Sequence, residues 1–132
     1  MNGVSVIGVG MIPFGKYPDK TLAEIGWPAV KEAIVESGVT HKEIDAVYCG
    51  SALGGMLSGQ RVMKALGLTG MPIINVENAC SSSSSALAQA WIAVASGQHD
   101  IVLVVGVEKL TKFGVSNTMR FSFCNSWWII SQ

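Results

Sequence analysis

Apolar residues occur along this chain in short runs that alternate with longer stretches of helical spacing. The first run, residues 4–9 (VSVIGV), is rich in β-branched side chains and is closed by Gly10, which predicts a buried strand. A Gly/Pro loop follows, and Thr21 and Glu24 then have the spacing of a capping box at a helix start. Apolar positions on one helical face continue to Gly38, a residue typical of helix ends. The opening of the chain therefore predicts a strand followed by an amphipathic helix.

The alternation continues beyond Gly38. In chain order, the further predicted elements are a strand over 46–51, a short helix over 60–66, a strand over 73–76, a helix over 81–96 and a strand over 101–107. The helix over 81–96 is small or apolar nearly all round, which predicts burial on every side. The last strand, IVLVVGV, is the most apolar of the set, as a central parallel strand would be.

The order β-α-β-α-β-α-β predicts an α/β fold. We expect a mostly parallel sheet with right-handed crossovers, helices on both faces and one enclosed helix. After Lys112 the pattern changes, because residues 113–132 are apolar and aromatic, without a period or an obvious strand partner. We therefore predict an α/β domain over residues 1–112 and an anomalous apolar tail over residues 113–132. The tail is either a floppy apolar segment or the product of truncation of a longer protein or of a shifted reading frame, and we favour the second explanation.

The amino-acid composition indicates which kinds of partner and which cellular compartment to expect. The chain has 132 residues, of which 49% are hydrophobic and only 14% charged, so we expect part of its surface to be covered by another chain or segment. A formal net charge of zero and the lack of a basic run argue against nucleic acid. Neither a signal peptide nor a run long enough to cross a bilayer is present. We expect a cytoplasmic protein without a membrane span.

The three cysteines are few, odd in number and irregularly spaced. Cys49, Cys80 and Cys124 form neither a disulfide framework nor a CxxC pair, so we expect reduced thiols and no metal site. Cys80 follows a predicted strand and precedes a predicted helix in the stretch ENACSSSSSAL. In an open α/β sheet this is the ligand crevice, and the dipole of a helix start favours a thiolate. Position alone leaves two interpretations open: a nucleophile, or a small buried side chain.

Three segments together resemble the thiolase superfamily. VSVIGVGMIPFGK resembles the opening strand and loop of thiolases of the sterol-carrier-protein type, and NACSSSSSAL resembles their nucleophile turn. GQHDIVLVVGVEKL resembles the strand after their buried helix. The resemblance covers residues 4–112 in the family's order, and it identifies the chain as the N-terminal half of a thiolase or acetyl-CoA acetyltransferase-like protein.

The resemblance implies that Cys80 is the catalytic nucleophile. In the family this cysteine attacks an acyl thioester and carries the acyl group, and its own backbone N–H helps to stabilise the oxyanion. Coenzyme A thioesters are then substrates, and no permanently bound cofactor is implied. The family's coenzyme A-binding loops lie largely beyond residue 112, so the cofactor-binding residues stay unknown.

A base for Cys80 is not evident in this chain. His41 precedes a predicted strand, and His99 lies past the far end of a helix about 24 Å long, so both are expected far from Cys80. The family supplies its histidine and a second cysteine from a C-terminal half. Cys124 lacks the glycine motif around that second cysteine, and Cys49 is expected in the core. Glu108, after the last strand, is either a solvated strand end or a site residue.

Three functional hypotheses remain. The first is an acyl-CoA acyltransferase half that carries Cys80 and is inactive without the missing half. The second is a noncatalytic scaffold, since some thiolase-like proteins associate with small OB-fold partners. The third is a ketosynthase-like condensing enzyme, which the ACSSS motif favours and GVGMIPFGK disfavours. We also expect a homodimer or aggregation, because one half leaves a face of the enclosed helix uncovered.

Overall fold

The computed structural model describes residues 3–67, 70–110 and 126–131. They form a five-stranded sheet with helices on both of its faces. In chain order the elements are β1 (Ser5–Met11), α1 (Leu22–Ser37), β2 (Ala46–Gly50), α2 (Ser58–Met63), β3 (Ile73–Val76), α3 (Ser82–Ala95), β4 (Ile101–Gly106) and β5 (Ser126–Ser131). Short 3-10 turns lie at His41–Glu43, Lys64–Leu66 and Ala79–Ser81. All seven elements predicted before residue 112 are present, and the α/β prediction is confirmed.

The sheet has the order β1-β5-β4-β2-β3 and is mixed. Strands β2, β3 and β4 are parallel neighbours, whereas β5 pairs antiparallel with both β4 and β1. Four strands therefore point one way and β5 points the other. Because β2, β3 and β4 are parallel, the segments that follow them meet at one edge of the sheet, called the carboxyl edge below.

The segment after Lys112 contains a strand that the sequence analysis did not predict. Strand β5 lies between β1 and β4, and Trp128 is opposite Val9 on one side and Val104 on the other. Ile129 and Ile130 are buried on opposite faces of the sheet. The expectation that this segment has no strand partner is therefore wrong for Ser126–Ser131. Residues 111–125 lie outside the described residues, and the origin of the segment stays a prediction.

Side chains alternate along each strand between two cores, as β geometry requires. The core on the first face packs β2 and β4 against α1 and α2, and includes Val47, Leu103 and Val105. The core on the second face packs the intervening residues, such as Tyr48 and Val104, against α3. The predicted placement of helices on both faces is confirmed.

Helix α1 begins and ends as its sequence predicts. The Glu24 carboxylate accepts a hydrogen bond from the Thr21 backbone N–H at 2.7 Å, and the Glu24 N–H donates to the Thr21 hydroxyl at 3.2 Å. Gly38 ends the helix with a φ of 71°, in the left-handed region that favours glycine. The helix packs closely on β1, because a methyl group at Gly10 would overlap the carbonyl oxygen of Ala29.

Helix α3 is buried on one face only. Ala86, Ala90 and Val94 pack on the sheet, while Trp91 is 43% and Ile92 59% exposed. The apolar pattern alone predicted a helix enclosed on every side, which is wrong for this chain, because α1 and α2 lie across the sheet from α3. The expectation that this chain leaves one face of the helix uncovered is confirmed. A helix that is apolar on all sides is expected to be buried, but its pattern does not indicate which chain or segment packs on the face away from the sheet.

Within the described part of the chain, none of the helices is long and apolar enough to span a bilayer. The cytoplasmic location stays a prediction.

Candidate active site

The carboxyl edge brings together the segments that follow β2, β3 and β4. Cys80 lies there, in the 3-10 turn between β3 and α3, and its thiol is free and exposed. A small pocket beside it is lined by Gly50, Ser51, Ala79, Cys80, Ser82, Ser83, Val107 and Glu108. The predicted strand-to-helix position of Cys80 is confirmed, and the alternative of a buried side chain is wrong.

A hydrogen-bond network encloses the Cys80 turn. The buried hydroxyl of Ser82 accepts from the Asn78 N–H at 2.8 Å and donates to the Ala79 carbonyl at 2.8 Å. The Asn78 side-chain amide donates to the Ser85 hydroxyl at 2.8 Å. These bonds hold Ala79 at a φ of 46°, a left-handed conformation that costs an alanine about 1 kcal/mol or more.

The backbone amides around Cys80 are almost all committed. The Ala79 N–H donates to the Glu77 carboxylate at 2.7 Å, the Ser81 N–H to the Asn78 carbonyl at 2.9 Å, and the Ser82 N–H to the Ala79 carbonyl. Within the part of the chain that the structure describes, the Cys80 N–H has no acceptor. The Cys80 N–H, on the residue that carries the thiol, is therefore available as a donor.

Gly50 allows α3 to start close to β2. A methyl group at Gly50 would lie 2.5 Å from the carbonyl carbon of Ser82 and 2.5 Å from the Cα of Ser83. Because these are backbone atoms, a larger residue would move the first turn of α3 and Cys80 with it. Gly50 is a site residue that sequence reasoning missed. Its one signal was a glycine at the end of a predicted strand.

Glu108 forms another wall of the pocket. Its carboxylate accepts hydrogen bonds from the backbone N–H groups of Ala52, at 2.8 Å, and Leu53, at 2.9 Å. The residue follows β4, and the loop that it holds follows β2. Of the two interpretations that the sequence left open, the structure favours a role at the site edge: Glu108 fastens the loop that borders the Cys80 pocket.

Cys49 lies at the same end of the sheet in a different environment. Its side chain is fully buried in the first core, on the face that carries α1 and α2. Burial, followed by the nearby charge of Glu108, raises the pKa of the Cys49 thiol to about 12. The prediction that Cys49 belongs to the core is confirmed, and it is a neutral thiol at ordinary pH.

The two histidines lie away from Cys80. His41 is in the turn before β2 and His99 precedes β4, so both are at the amino edge of the parallel strands. Neither lines the Cys80 pocket, as predicted. Cys124 lies outside the described residues. No cluster of three metal-ligating side chains occurs within residues 3–67, 70–110 and 126–131.

A comparison with known protein families shows which family this chain belongs to. The profile of the thiolase N-terminal domain matches residues 4–124, most of the chain. The chain belongs to the thiolase family. The resemblance noted in the sequence is thereby confirmed.

Two thiolase-family relatives share more than a third of the aligned residues with this chain. An acetyl-CoA acetyltransferase of Methanocaldococcus jannaschii is 39% identical over 116 residues, which cover 84% of this chain and 30% of the relative. Sterol carrier protein 2 of Homo sapiens is 38% identical over 118 residues, or 83% of this chain and 21% of that protein. The chain thus spans less than a third of the length of these relatives.

Solved structures support the fold. The 3-oxoacyl-(acyl-carrier-protein) synthase III of Aquifex aeolicus matches with a TM-score of 0.85 at 19% identity, over 98% of this chain and 54% of that one. A priming β-ketosynthase of the R1128 polyketide pathway matches with a TM-score of 0.81 at 21% identity, over 97% of this chain and 49% of that one. At such identities the likeness establishes the fold alone.

Proposed function

We propose that the chain is the acyl-accepting half of a thiolase-type acyltransferase, with Cys80 as its nucleophile. The observation that carries the proposal is the pairing of an exposed thiol and an unbonded amide on one residue, at the start of α3. Helix-start amides favour negative charge, both on a thiolate and on a developing oxyanion.

The proposed step transfers an acyl group from sulfur to sulfur. Cys80 loses its thiol proton to solvent, and the thiolate attacks the carbonyl carbon of an acyl-CoA. The C–O double bond becomes an oxyanion, to which the Cys80 N–H donates. Collapse of this intermediate re-forms the carbonyl and breaks its bond to the coenzyme A sulfur. The departing thiolate takes a proton from solvent, and the acyl group remains on Cys80.

An acyl-CoA donor is favoured by the relatives. The protein of M. jannaschii carries the name acetyl-CoA acetyltransferase. Coenzyme A enters this proposal as part of the substrate, without a resident cofactor. A donor bound to a carrier protein is the second candidate, favoured by the fold of the synthase III structures.

Complete turnover requires groups beyond those described. The pocket beside Cys80 contains no histidine among its described residues, and the chain spans 30% of the archaeal relative. We expect the chain alone to become acylated without thiolysing a 3-ketoacyl-CoA, because thiolysis also needs a base that activates the incoming thiol.

A homodimer is the partner we propose. Helix α3 carries no charged residue and exposes Trp91 and Ile92. Packing this face against a second copy would remove both side chains from water. Light scattering should detect a dimer that Trp91→Glu weakens. A monomer at every concentration would contradict self-association, and capture by a small OB-fold protein would favour the scaffold hypothesis.

The central experiment measures acylation of Cys80 by mass spectrometry. The chain is incubated with acetyl-CoA, and the peptide containing Cys80 should gain one acetyl group. Cys80→Ser is the matched control for transfer to other side chains. Labelling by an acetylated carrier protein in place of acetyl-CoA would favour the ketosynthase alternative. No labelling by either donor would overturn the acyltransferase proposal.

A further inference from the structure

Ser82 differs from the four other serines that follow Cys80. It is 4% exposed, and its hydroxyl is both a donor and an acceptor within the turn. Ser84, two residues later, is exposed and forms no side-chain hydrogen bond with the described residues. The serine run thus contains one hydroxyl that closes the Cys80 turn and one that faces solvent.

The Ser82 hydroxyl connects the two residues that precede Cys80. It binds the N–H of Asn78 and the carbonyl of Ala79, at 2.8 Å each. These bonds fix the Glu77–Asn78 peptide group and the Ala79–Cys80 peptide group, and the second of these carries the free Cys80 N–H. They also keep Ala79 in its left-handed conformation, which turns the chain at this point. The direction of the free Cys80 N–H is therefore set through Ser82.

We infer that Ser82 is a positioning residue for acyl transfer: its hydroxyl holds the turn so that the thiol and the free N–H of Cys80 act on the same carbonyl. The inference rests on the proposed function, because an oriented amide matters only where an oxyanion forms. In this role Ser82 acts through the Asn78 N–H and the Ala79 carbonyl that its hydroxyl binds.

Two reagents separate this role from a general effect on the thiol. p-Nitrophenyl acetate acetylates a thiolate through a tetrahedral oxyanion and releases p-nitrophenolate. Iodoacetamide alkylates the same thiolate by displacement of iodide, with no oxyanion. A misdirected N–H should therefore slow the first reaction selectively. Rates for both reagents are taken from the mass of the Cys80 peptide in the full chain.

Ser82→Ala should lower the rate of acetylation by about tenfold or more. Complete loss of an oxyanion donor lowers a reaction rate by about 10²–10³-fold, and we expect a displaced donor to lower it by less. The alkylation rate should change by less than about threefold. Ser82→Thr retains the hydroxyl and should restore acetylation. Ser84→Ala, the matched control in the same run, should leave both rates at the wild-type value.

The inference would be overturned if Ser82→Ala slowed acetylation and alkylation equally, or if it slowed neither reaction. Circular dichroism establishes that each variant is folded. If Ser82→Ala fails to fold, Ser85→Ala provides the test, because it removes only the outer bond to the Asn78 side chain. We expect it to slow acetylation by about two- to fivefold, with alkylation unchanged. A Ser85→Ala chain with no selective loss would then overturn the inference.

Acetyl-CoA distinguishes the two proposals. If it fails to label wild-type Cys80 while p-nitrophenyl acetate shows the selective loss in Ser82→Ala, the coenzyme A donor is wrong and the role of Ser82 stands. If acetyl-CoA labels Cys80 and the loss is not selective, the donor stands and the role of Ser82 is wrong.

Discussion

Cys49 and Cys80 lie at the carboxyl end of the same sheet, in opposite surroundings. Cys49 points into the core under α1 and α2, where burial raises its thiol pKa to about 12. Cys80 lies beyond the sheet at the start of α3, exposed and beside a free amide. Both cysteines lie near the carboxyl edge of the sheet, so we expect the burial of each thiol to decide its reactivity. The predictions below test this contrast, beginning with the largest effect.

The native chain should react with iodoacetamide at Cys80 and not at Cys49. At about pH 8, a thiol of pKa about 12 is ionised in only about one molecule in 10,000, and it is also inaccessible. We expect the two alkylation rates, measured by peptide mass spectrometry, to differ by about 10³ or more. In denaturant both should react at similar rates. Equal rates in the native chain would contradict the contrast.

Gly50→Ala should slow the acetylation of Cys80 and leave the burial of Cys49 unchanged. The added methyl group would meet the backbone of Ser82 and Ser83, so the start of α3 must move. We expect a loss of about 1–3 kcal/mol in the free energy of unfolding and slower acetylation of Cys80 by p-nitrophenyl acetate. Urea denaturation and peptide labelling measure the two effects.

Gly59→Ala is the matched control for that variant. Its methyl group would lie 2.9 Å from the Cβ of Cys49, on the other side of the sheet. It should destabilise the fold comparably while leaving the acetylation rate of Cys80 unchanged. A similar fall in Cys80 acetylation for both variants would indicate a general loss of structure.

Cys49 should make the fold sensitive to alkaline pH. Its ordinary pKa is 9.0, and burial holds the folded value near 12. Above about pH 9 the unfolded chain therefore loses this proton while the folded chain keeps it. Stability falls as pH rises, by up to about 1.4 kcal/mol per pH unit, until pH reaches the folded pKa.

Cys49→Ala isolates this contribution. Urea denaturation at a series of pH values should give a shallower alkaline decline for Cys49→Ala than for the wild type. At neutral pH the variant should be less stable, because it loses a buried sulfur atom. Parallel curves above about pH 9 would contradict a protonated Cys49 in the folded state.

Glu108→Gln should have the smallest effect of these variants, a modest change in the pKa of Cys49. The glutamate charge is the second cause of the raised Cys49 pKa, after burial. Glutamine removes the charge and keeps an acceptor oxygen for the Ala52 and Leu53 N–H groups. The Cys49 pKa should therefore fall modestly, as measured by thiolate absorbance in a Cys80→Ala, Cys124→Ala background. A rise would contradict the assignment.

The sequence predicted those parts of the fold that local pattern determines. The capping box at Thr21, the stop at Gly38 and the apolar runs that became β4 and α3 are all signals within a few residues of their effect. Strand β5 was missed because its place depends on antiparallel pairing with β1 and β4, which lie far away in the sequence. Nothing within SWWIIS specifies those partners.

The candidate site was predictable to the level of one residue. The turn between a strand and a helix located Cys80, because parallel strands end at a shared edge. Five consecutive serines, however, give no local signal that distinguishes Ser82 from Ser84, since burial decides between them. The bond from Glu108 to the loop after β2 spans 55 residues or more and has no signature in either segment.

The place of β5 has a consequence for the order of assembly. Among the strands that the structure describes, β1 pairs only with β5, and β5 separates it from β4. During translation, β2, β3 and β4 can pair as soon as they emerge, but β1 can pair in the sheet only after residues 126–131 have been synthesised. Until then one edge of β1 and one edge of β4 stay unpaired, and unpaired strand edges favour contacts with other chains.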